Sequence, residues 1–189
     1  SPGFNPNQFR TVDYKKTGSR AFHDALEPGS VMKAFLVAAA LDAGAIKRNQ
    51  RFDTGDGTMQ LPGKNIRDHH PYGVIDPSEV LQLSSNIGAV MIAQRLGPEA
   101  HYNALLRFGF GRHSGSGFPS ESNGLLRGWN DWKPIDHATV SYGQGIGVTA
   151  VQLAAAMCAL ASDGQLRTPR LVSARRRVGG EWEPTAVDE

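Results

Sequence analysis

Ser30 and Lys33 lie three residues apart at the start of a largely apolar segment that ends at Ala43. A serine hydroxyl is a poor nucleophile at neutral pH unless a base lies within hydrogen-bond distance. Positions i and i+3 share one face of a helix, so Lys33 can reach Ser30 if the helix begins there. Apolar neighbours would desolvate the ammonium group and lower its pKa, which lets the amine accept the hydroxyl proton. The spacing predicts a serine nucleophile with a lysine base, although a capping serine and a surface lysine would give the same short pattern.

A second polar group, Ser84-Ser85-Asn86, interrupts the apolar pattern farther along the chain. A break between two helices lets side chains point into a cleft. There the hydroxyl of Ser84 can pass a proton between Lys33 and a leaving amine. The amide of Asn86 can hold both the lysine and a substrate peptide group. The alternative interpretation is an N-cap pair for the helix that follows.

Longer segments around these two motifs resemble the penicillin-binding proteins, the serine D,D-transpeptidases that cross-link peptidoglycan. The resemblance covers nearly the whole chain, and its segments follow the order found in the family. They are FNPN, SRAFHDALEPGSVMK, LQLSSNIGAVMIAQRLG, RFGFG, GFPSESNGLL and SYGQGIGVTAVQLAAAMCALASDGQLRTPRLV. The Ser-Ser-Asn form of the second motif is more similar to monofunctional (class B), division-type members than to elongation-type members.

The resemblance implies a role for each motif residue. Ser30 would be the acylated nucleophile, Lys33 its base, Ser84 a proton shuttle and Asn86 a substrate-binding amide that also orients the lysine. Ser30 would attack the D-Ala-D-Ala carbonyl and release the terminal D-Ala, and an amine of a neighbouring stem peptide would then take the acyl group. A β-lactam would stop the reaction at a stable acyl-enzyme. The backbone N–H of Ser30 would supply one oxyanion donor, and the glycine-rich turn at 143–147 would form part of the cleft floor.

The resemblance also implies an α+β fold of the β-lactamase/transpeptidase type, of which residues 1–189 hold mainly the helical part. The family's Lys-Thr-Gly motif, on a strand well downstream of the second motif, does not follow Asn86 here, and the family's first strands are not present ahead of FNPN. A Lys16-Thr17-Gly18 does occur, but in a polar segment ahead of Ser30, and we interpret it as a coincidence. The prediction is a partial transpeptidase domain that acylates weakly or not at all by itself.

Composition limits the remaining functions. A length of 189 residues with 40% hydrophobic side chains suits one domain with a core. A net charge of +2 is too small to indicate nucleic acid as a partner, and we interpret Arg175–Arg177 as a solvated strand end or turn.

No apolar run is long enough to span a bilayer, and the N-terminal residues do not resemble a signal peptide. Asp68-His69-His70 has no third ligand at metal-binding spacing, so neither a metal nor a cofactor is expected. Cys158, in an apolar helical run, is expected to be buried.

The implied partners are peptidoglycan stem peptides and β-lactam antibiotics, with division-complex proteins as further candidates. The implied location is extracytoplasmic, on the periplasmic side of the bacterial inner membrane, through an anchor not present in these residues. Two alternatives stay open. One is a D,D-carboxypeptidase or β-lactamase on the same scaffold, with Glu121 as a loop candidate for the carboxylate that activates water. The other is a non-catalytic β-lactam sensor or helical interaction module.

The elements that must position these motifs are mainly helices, with little strand except at the end of the chain. A buried helix is predicted from Ser30 to Ala43, where Gly44 ends it. The segment from Lys47 to Tyr72 is predicted to be a long loop region with a short hairpin around MQLPGKN. A helix is predicted after Asp76, with Pro77 and Glu79 completing its cap, and a second one follows the Ser-Ser-Asn break and ends at Gly97. A third helix begins at Pro98, with Gly109 after its end. A last helix begins after Thr149, which is capped with Gln152, and it precedes a hairpin that turns at Gly179-Gly180.

Overall fold

The computed structural model describes residues 5–8, 10–11 and 18–185. Lys16 and Thr17 of the Lys-Thr-Gly sequence lie outside these residues. No helix in the described ranges is both long enough and apolar enough to cross a membrane. The helices are α1 (Arg20–His23), α2 (Met32–Asp42), α3 (Pro77–Gln82), α4 (Asn86–Leu96), α5 (Pro98–Arg107), α6 (Pro134–Ser141) and α7 (Ala150–Ala161), with 3₁₀ turns at Pro6–Gln8, Gly29–Val31 and Trp129–Asp131.

Short antiparallel strands form three two-stranded sheets in the described part of the chain. They are β1 (Phe52–Asp53) with β4 (Val74–Ile75), β2 (Thr58–Leu61) with β3 (Lys64–Arg67), and β5 (Ala174–Arg176) with β6 (Trp182–Pro184). The β2–β3 and β5–β6 pairs confirm the two predicted hairpins. The β1–β4 pair, with two residues in each strand, was not predicted. Strands of two residues carry no readable hydrophobic period.

Helix ends follow the predicted caps. Asp76 accepts a hydrogen bond from the backbone N–H of Glu79, whose carboxylate accepts from the N–H of Asp76, so α3 begins with a complete capping box. Thr149 and Gln152 form the same arrangement at α7. Gly97, with φ of 84°, ends α4. These predictions are confirmed, whereas the two-turn helix α6 was not anticipated.

The start of the central helix differs from the prediction. Ser30 lies in the 3₁₀ turn Gly29–Val31, and the α-helix begins only at Met32. Gly29 adopts φ of 62°, a left-handed conformation that glycine reaches at little steric cost. The turn therefore presents Ser30 at the surface, ahead of the helix, while Lys33 falls in the first buried turn. The predicted end is confirmed, since α2 stops at Asp42 and Gly44 has φ of 65°.

Helix α2 lies at the centre of the fold and packs against α3, α4, α5 and α6. One side, with Leu36 and Ala40, joins a cluster that includes Ile92 of α4. The other side, with Met32 and Phe35, packs against aromatic and aliphatic side chains of the α5–α6 region. A helix that is apolar all round must be covered on both sides, so the predicted burial is confirmed. Burying one side chain such as Phe35 contributes about 2–3 kcal/mol.

Helix α7 is covered on one side only in the described chain. Gln152, Ala156 and Ala159 are buried, whereas Met157 is 42% exposed and Cys158 is also exposed. The prediction of a buried cysteine was wrong. The small residues of this helix are apolar on every face, so the sequence alone does not indicate which face receives neighbours.

Candidate active site

The side-chain nitrogen of Lys33 lies among four oxygen atoms. It is 3.1 Å from Ser30 Oγ, 3.0 Å from Ser84 Oγ, 2.6 Å from the carbonyl oxygen of Ser84 and 2.8 Å from Asn86 Oδ1. The structure therefore brings all four predicted site residues together. An ammonium group has three N–H bonds for these four acceptors. After losing one proton, the amine has a lone pair that can accept the hydroxyl hydrogen of Ser30.

Burial of Lys33 sets its acid–base behaviour. The residue is only 1% exposed, although it carries an ionisable group. Desolvation lowers the pKa of Lys33 to about 8, and the negative charge of Asp68 opposes this shift. At pH 7 about one lysine in ten is then neutral, compared with fewer than about one in a thousand for an ordinary lysine. Lys33 can accordingly serve as a base near neutral pH.

Ser84 occupies the junction between α3 and α4 in a strained conformation. Its φ is 54°, in the left-handed region that non-glycine residues adopt at a cost of about 1–2 kcal/mol. This conformation turns both the carbonyl and the hydroxyl of Ser84 toward Lys33. A strained residue persists where its surroundings hold it, and such residues cluster at functional sites.

Asn86 is oriented by a contact from the β2–β3 hairpin. Its side-chain N–H donates to the carbonyl of Arg67 at 3.0 Å, which leaves Oδ1 facing Lys33. The amide nitrogen carries two hydrogens, so a second one is available in principle for a substrate carbonyl. This arrangement fits the two tasks predicted for the residue.

Asp68 belongs to the site, although its place beside two histidines in the sequence suggested only a metal ligand. One carboxylate oxygen accepts from the backbone N–H groups of Asn86 and Ile87, at 2.5 and 3.1 Å, and the other accepts from Ser85 Oγ at 2.6 Å. Asp68 thus serves as an anion at the N-terminus of α4. The flanking residues in the sequence carry no signal for this contact, because β3 and α4 are brought together by the tertiary fold.

The glycine-rich turn at 143–147 lies directly against the chain that leads to Ser30. Gly29 donates its N–H to the carbonyl of Gly143 at 3.1 Å. Glu27 accepts from the N–H of Gly145 at 2.8 Å, and Leu26 and Val148 form a two-way backbone bridge. These contacts fix the position of the 3₁₀ turn that carries the hydroxyl.

The other candidates from the sequence have structural partners. Glu121, considered as an activator of water, is 7% exposed and accepts hydrogen bonds from the N–H of Ser114 and the hydroxyl of Ser116, in its own loop. His69 and His70 are exposed next to Asp68. Within residues 5–8, 10–11 and 18–185, no group of three His, Cys, Asp or Glu side chains could hold a metal ion.

Comparisons with known proteins identify the family of this chain. The model of the penicillin binding protein transpeptidase domain family matches residues 1–188. The probable peptidoglycan D,D-transpeptidase PenA of Neisseria gonorrhoeae is 39% identical over 166 residues, which cover 88% of this chain and 28% of the relative. The chain thus spans little more than a quarter of that relative's length.

Solved structures give the same result. Penicillin-binding protein 3 of Mycobacterium tuberculosis, complexed with aztreonam, is 31% identical with a TM-score of 0.86, over 98% of this chain and 42% of that one. The apo transpeptidase domain of Burkholderia pseudomallei penicillin-binding protein 3 is 37% identical with a TM-score of 0.79, over 92% of this chain and 51% of that one. The predicted α+β fold of the β-lactamase/transpeptidase type is confirmed.

Proposed function

We propose that this chain, which belongs to the penicillin-binding protein transpeptidase family, carries the acylation site of a serine D,D-transpeptidase of peptidoglycan synthesis. The observation that supports this most directly is the contact of Lys33 Nζ with Ser30 Oγ at 3.1 Å. The base is buried and the nucleophile is exposed, so a substrate can reach the hydroxyl while the amine stays desolvated. The name of PenA, a probable peptidoglycan D,D-transpeptidase, points to the same activity.

In the first step, Ser30 Oγ attacks the carbonyl carbon of the penultimate D-Ala of a stem peptide. The hydroxyl proton passes to the neutral amine of Lys33. The C–N bond to the terminal D-Ala then breaks, and its nitrogen takes a proton relayed through Ser84 Oγ, which lies 3.0 Å from Lys33 Nζ. The products are free D-Ala and an ester on Ser30. The backbone N–H of Ser30 stabilises the tetrahedral oxyanion.

In the second step, the amine of a neighbouring stem peptide attacks the ester carbonyl. The ester C–O bond to Ser30 then breaks, a proton from the attacking amine returns through Ser84 and Lys33 to Ser30 Oγ, and the new amide bond is the cross-link. With a β-lactam, the broken amide belongs to a ring, so the leaving nitrogen stays tethered to the acyl group and the ester persists. The binding partners proposed for the site are therefore stem peptides and β-lactams, and the chemistry uses no cofactor.

We also propose that residues 1–189 form a partial transpeptidase domain of the class B, division type. The chain corresponds to 51% of the solved Burkholderia pseudomallei transpeptidase domain, and no Lys-Thr-Gly sequence follows Asn86. A strand with that motif would add the second oxyanion donor, and removing one such donor lowers the rate by about 10²–10³. Residues 1–189 by themselves should therefore react with fluorescent penicillin at least about 100-fold more slowly than a relative with that strand. An equal rate would refute this part of the proposal.

The proposed location is extracytoplasmic, on the periplasmic side of the inner membrane, because the peptidoglycan substrate lies there. Contacts with other proteins of the division complex are part of the same proposal and rest on the division-type resemblance alone.

The test is intact-mass spectrometry of the protein that carries this sequence, after incubation with benzylpenicillin. We expect one stable adduct on the native protein and none on Ser30→Ala, whereas Ser78→Ala, a change at an exposed serine of α3, keeps the adduct. Rapid loss of the adduct would indicate a β-lactamase, and the absence of any adduct would indicate an interaction module. A D-Ala-D-Ala peptide with an added acceptor amine then separates a transpeptidase from a carboxypeptidase and from a sensor by its product.

A further inference from the structure

We propose, on the premise of the function above, that Asp68 is a positioning residue for acylation. It holds the turn Ser84-Ser85-Asn86 against Lys33 and places a negative charge near the lysine without contacting the reacting atoms. Its two carboxylate oxygens make the contacts on which this role depends.

These oxygens bind three consecutive residues at the start of α4. Asp68 accepts from the hydroxyl of Ser85 and from the backbone N–H groups of Asn86 and Ile87. The first N–H groups of a helix have no partner inside the helix, so a carboxylate there satisfies groups that would otherwise stay unpaired. Ser85, which is fully buried, accepts from the N–H of Gly88 while it donates to Asp68, so the serine cap and the carboxylate act as one unit.

The same contacts determine where the catalytic groups lie. Asn86 is held at two points by the end of the hairpin: Asp68 binds its backbone, and the carbonyl of Arg67 binds its side-chain amide. Ser84 immediately precedes the serine that Asp68 binds. Movement of this turn would displace all three oxygens that Ser84 and Asn86 present to Lys33.

The charge of Asp68 has a separate effect. It raises the pKa of Lys33 against the larger lowering by burial. Removing the charge should therefore favour the neutral amine. A helix cap with a purely structural role would not shift the protonation of Lys33, so this shift separates the two roles.

The experiment compares Asp68→Asn with the native protein that carries this sequence. We expect the maximal acylation rate with benzylpenicillin to fall at least about tenfold, because the turn loses alignment. We also expect the acid limb of the pH–rate profile to move to lower pH. Asp68→Glu, which keeps the charge, should leave the limb near its native position while the maximal rate falls.

Asp76→Asn is the matched control, because it removes the charge of another helix cap, that of α3. It should lower the melting temperature without moving the acid limb. If Asp68→Asn behaves in the same way, with the acylation rate and the acid limb of the pH–rate profile both as in the native protein, the residue is only a structural cap. The proposal is then overturned.

A direct titration keeps this proposal distinct from the proposed function. The chemical shift of the Lys33 Cε, followed by NMR against pH, reports the lysine pKa whether or not the protein acylates. A lower pKa in Asp68→Asn supports the electrostatic role even if no variant forms an adduct, which would refute the proposed function alone. An unchanged or higher pKa overturns the role assigned to Asp68.

Discussion

Gly143 and Gly29 meet backbone to backbone directly ahead of Ser30. The carbonyl of Gly143 accepts from the N–H of Gly29 at 3.1 Å, and a Cβ at position 143 would lie 2.1 Å from the oxygen and 2.6 Å from the nitrogen of Gly29. Gly143 also has φ of 80°. A side chain at position 143 is therefore excluded by the backbone that leads to Ser30.

The change Gly143→Ala should displace the turn at Gly29–Val31 or unfold it. We expect a loss of about 3 kcal/mol or more in the free energy of unfolding, from collision and backbone strain together. Acylation of Ser30 should slow at least about tenfold beyond any loss of folded protein, because the hydroxyl moves away from Lys33. Urea unfolding and the acylation rate of the folded fraction measure the two effects.

Gly145→Ala is the matched control. This residue lies in the same turn with φ of 74°, but its added Cβ would come no closer than 3.5 Å to Thr139 Oγ1. We expect a loss of about 1–2 kcal/mol from strain alone and little change in the acylation rate. Equal behaviour of the two variants would show that the contact between Gly29 and Gly143 does not position Ser30.

The acylation rate should depend on the protonation of Lys33. Because burial lowers the pKa of this lysine to about 8, the neutral fraction rises with pH and levels off above that value. We expect the rate of acylation to rise about tenfold per pH unit below pH 7 and to reach a plateau near pH 9. The rate constant with a β-lactam, corrected for its spontaneous hydrolysis, gives this profile.

Lys33→Arg tests the same assignment from the other side. A guanidinium keeps the positive charge but does not lose its proton in this range, so acylation should fall by about 10²–10⁴ at every pH. A native profile that is flat between pH 6 and 9 would contradict the role of Lys33 as base.

Much of the local structure could be predicted from the sequence, because its signals lie within a few residues of one another. The caps of α3 and α7 are examples, because Asp76 and Thr149 each lie three positions from the partner residue of the capping box. The contact of Ser30 with Lys33 was predicted from spacing and is present, although Ser30 lies on a 3₁₀ turn.

The remaining features depend on tertiary contacts that short patterns do not carry. Asp68 binds residues 17 to 19 positions away, and its two histidine neighbours suggested a metal ligand. The exposure of Cys158 depends on which face of α7 receives neighbours. The meeting of Ser84 and Asn86 with Lys33 was anticipated from the chemistry of the motifs and the family resemblance, since their spacing of more than 50 residues predicts no contact.

Ser84 offers a pair of substitutions that separate its hydroxyl from its backbone. Ser84→Ala and Ser84→Gly both remove the Oγ that lies 3.0 Å from Lys33, so both should slow acylation by about 10²-fold or more if the hydroxyl relays a proton. Only glycine relieves the strain of φ at 54°. In urea unfolding, the free energy of unfolding of the glycine variant should therefore exceed that of the alanine variant by up to about 1 kcal/mol. A native acylation rate in both would exclude Ser84 from the proton path.

His101, which is buried, and His137, which is half-buried, lie side by side and should make the fold sensitive to acid. Their ring centroids are 5.4 Å apart, and Trp132 packs against both. His101 is 1% exposed, and neither its Nδ1 nor Nε2 of His137 has a hydrogen-bond partner within the described part of the chain. The interior therefore holds both rings in the neutral form.

Burial lowers the pKa of His101 to about 3, with a further contribution from His137, and burial lowers the pKa of His137 to about 4. The unfolded chain binds protons at these residues near pH 6.5, well before the folded chain does. Stability should therefore be full above about pH 7 and fall as the pH drops, by roughly 1–2 kcal/mol per histidine between pH 7 and 5. Urea unfolding at pH 7, 6 and 5 measures this slope.

His101→Phe should remove about half of the histidine contribution, whereas His69→Gln, at an exposed position, should leave the slope as in the native protein. If His101→Phe and the native protein lose the same free energy of unfolding over this range, the histidine pair is not the source of the acid sensitivity.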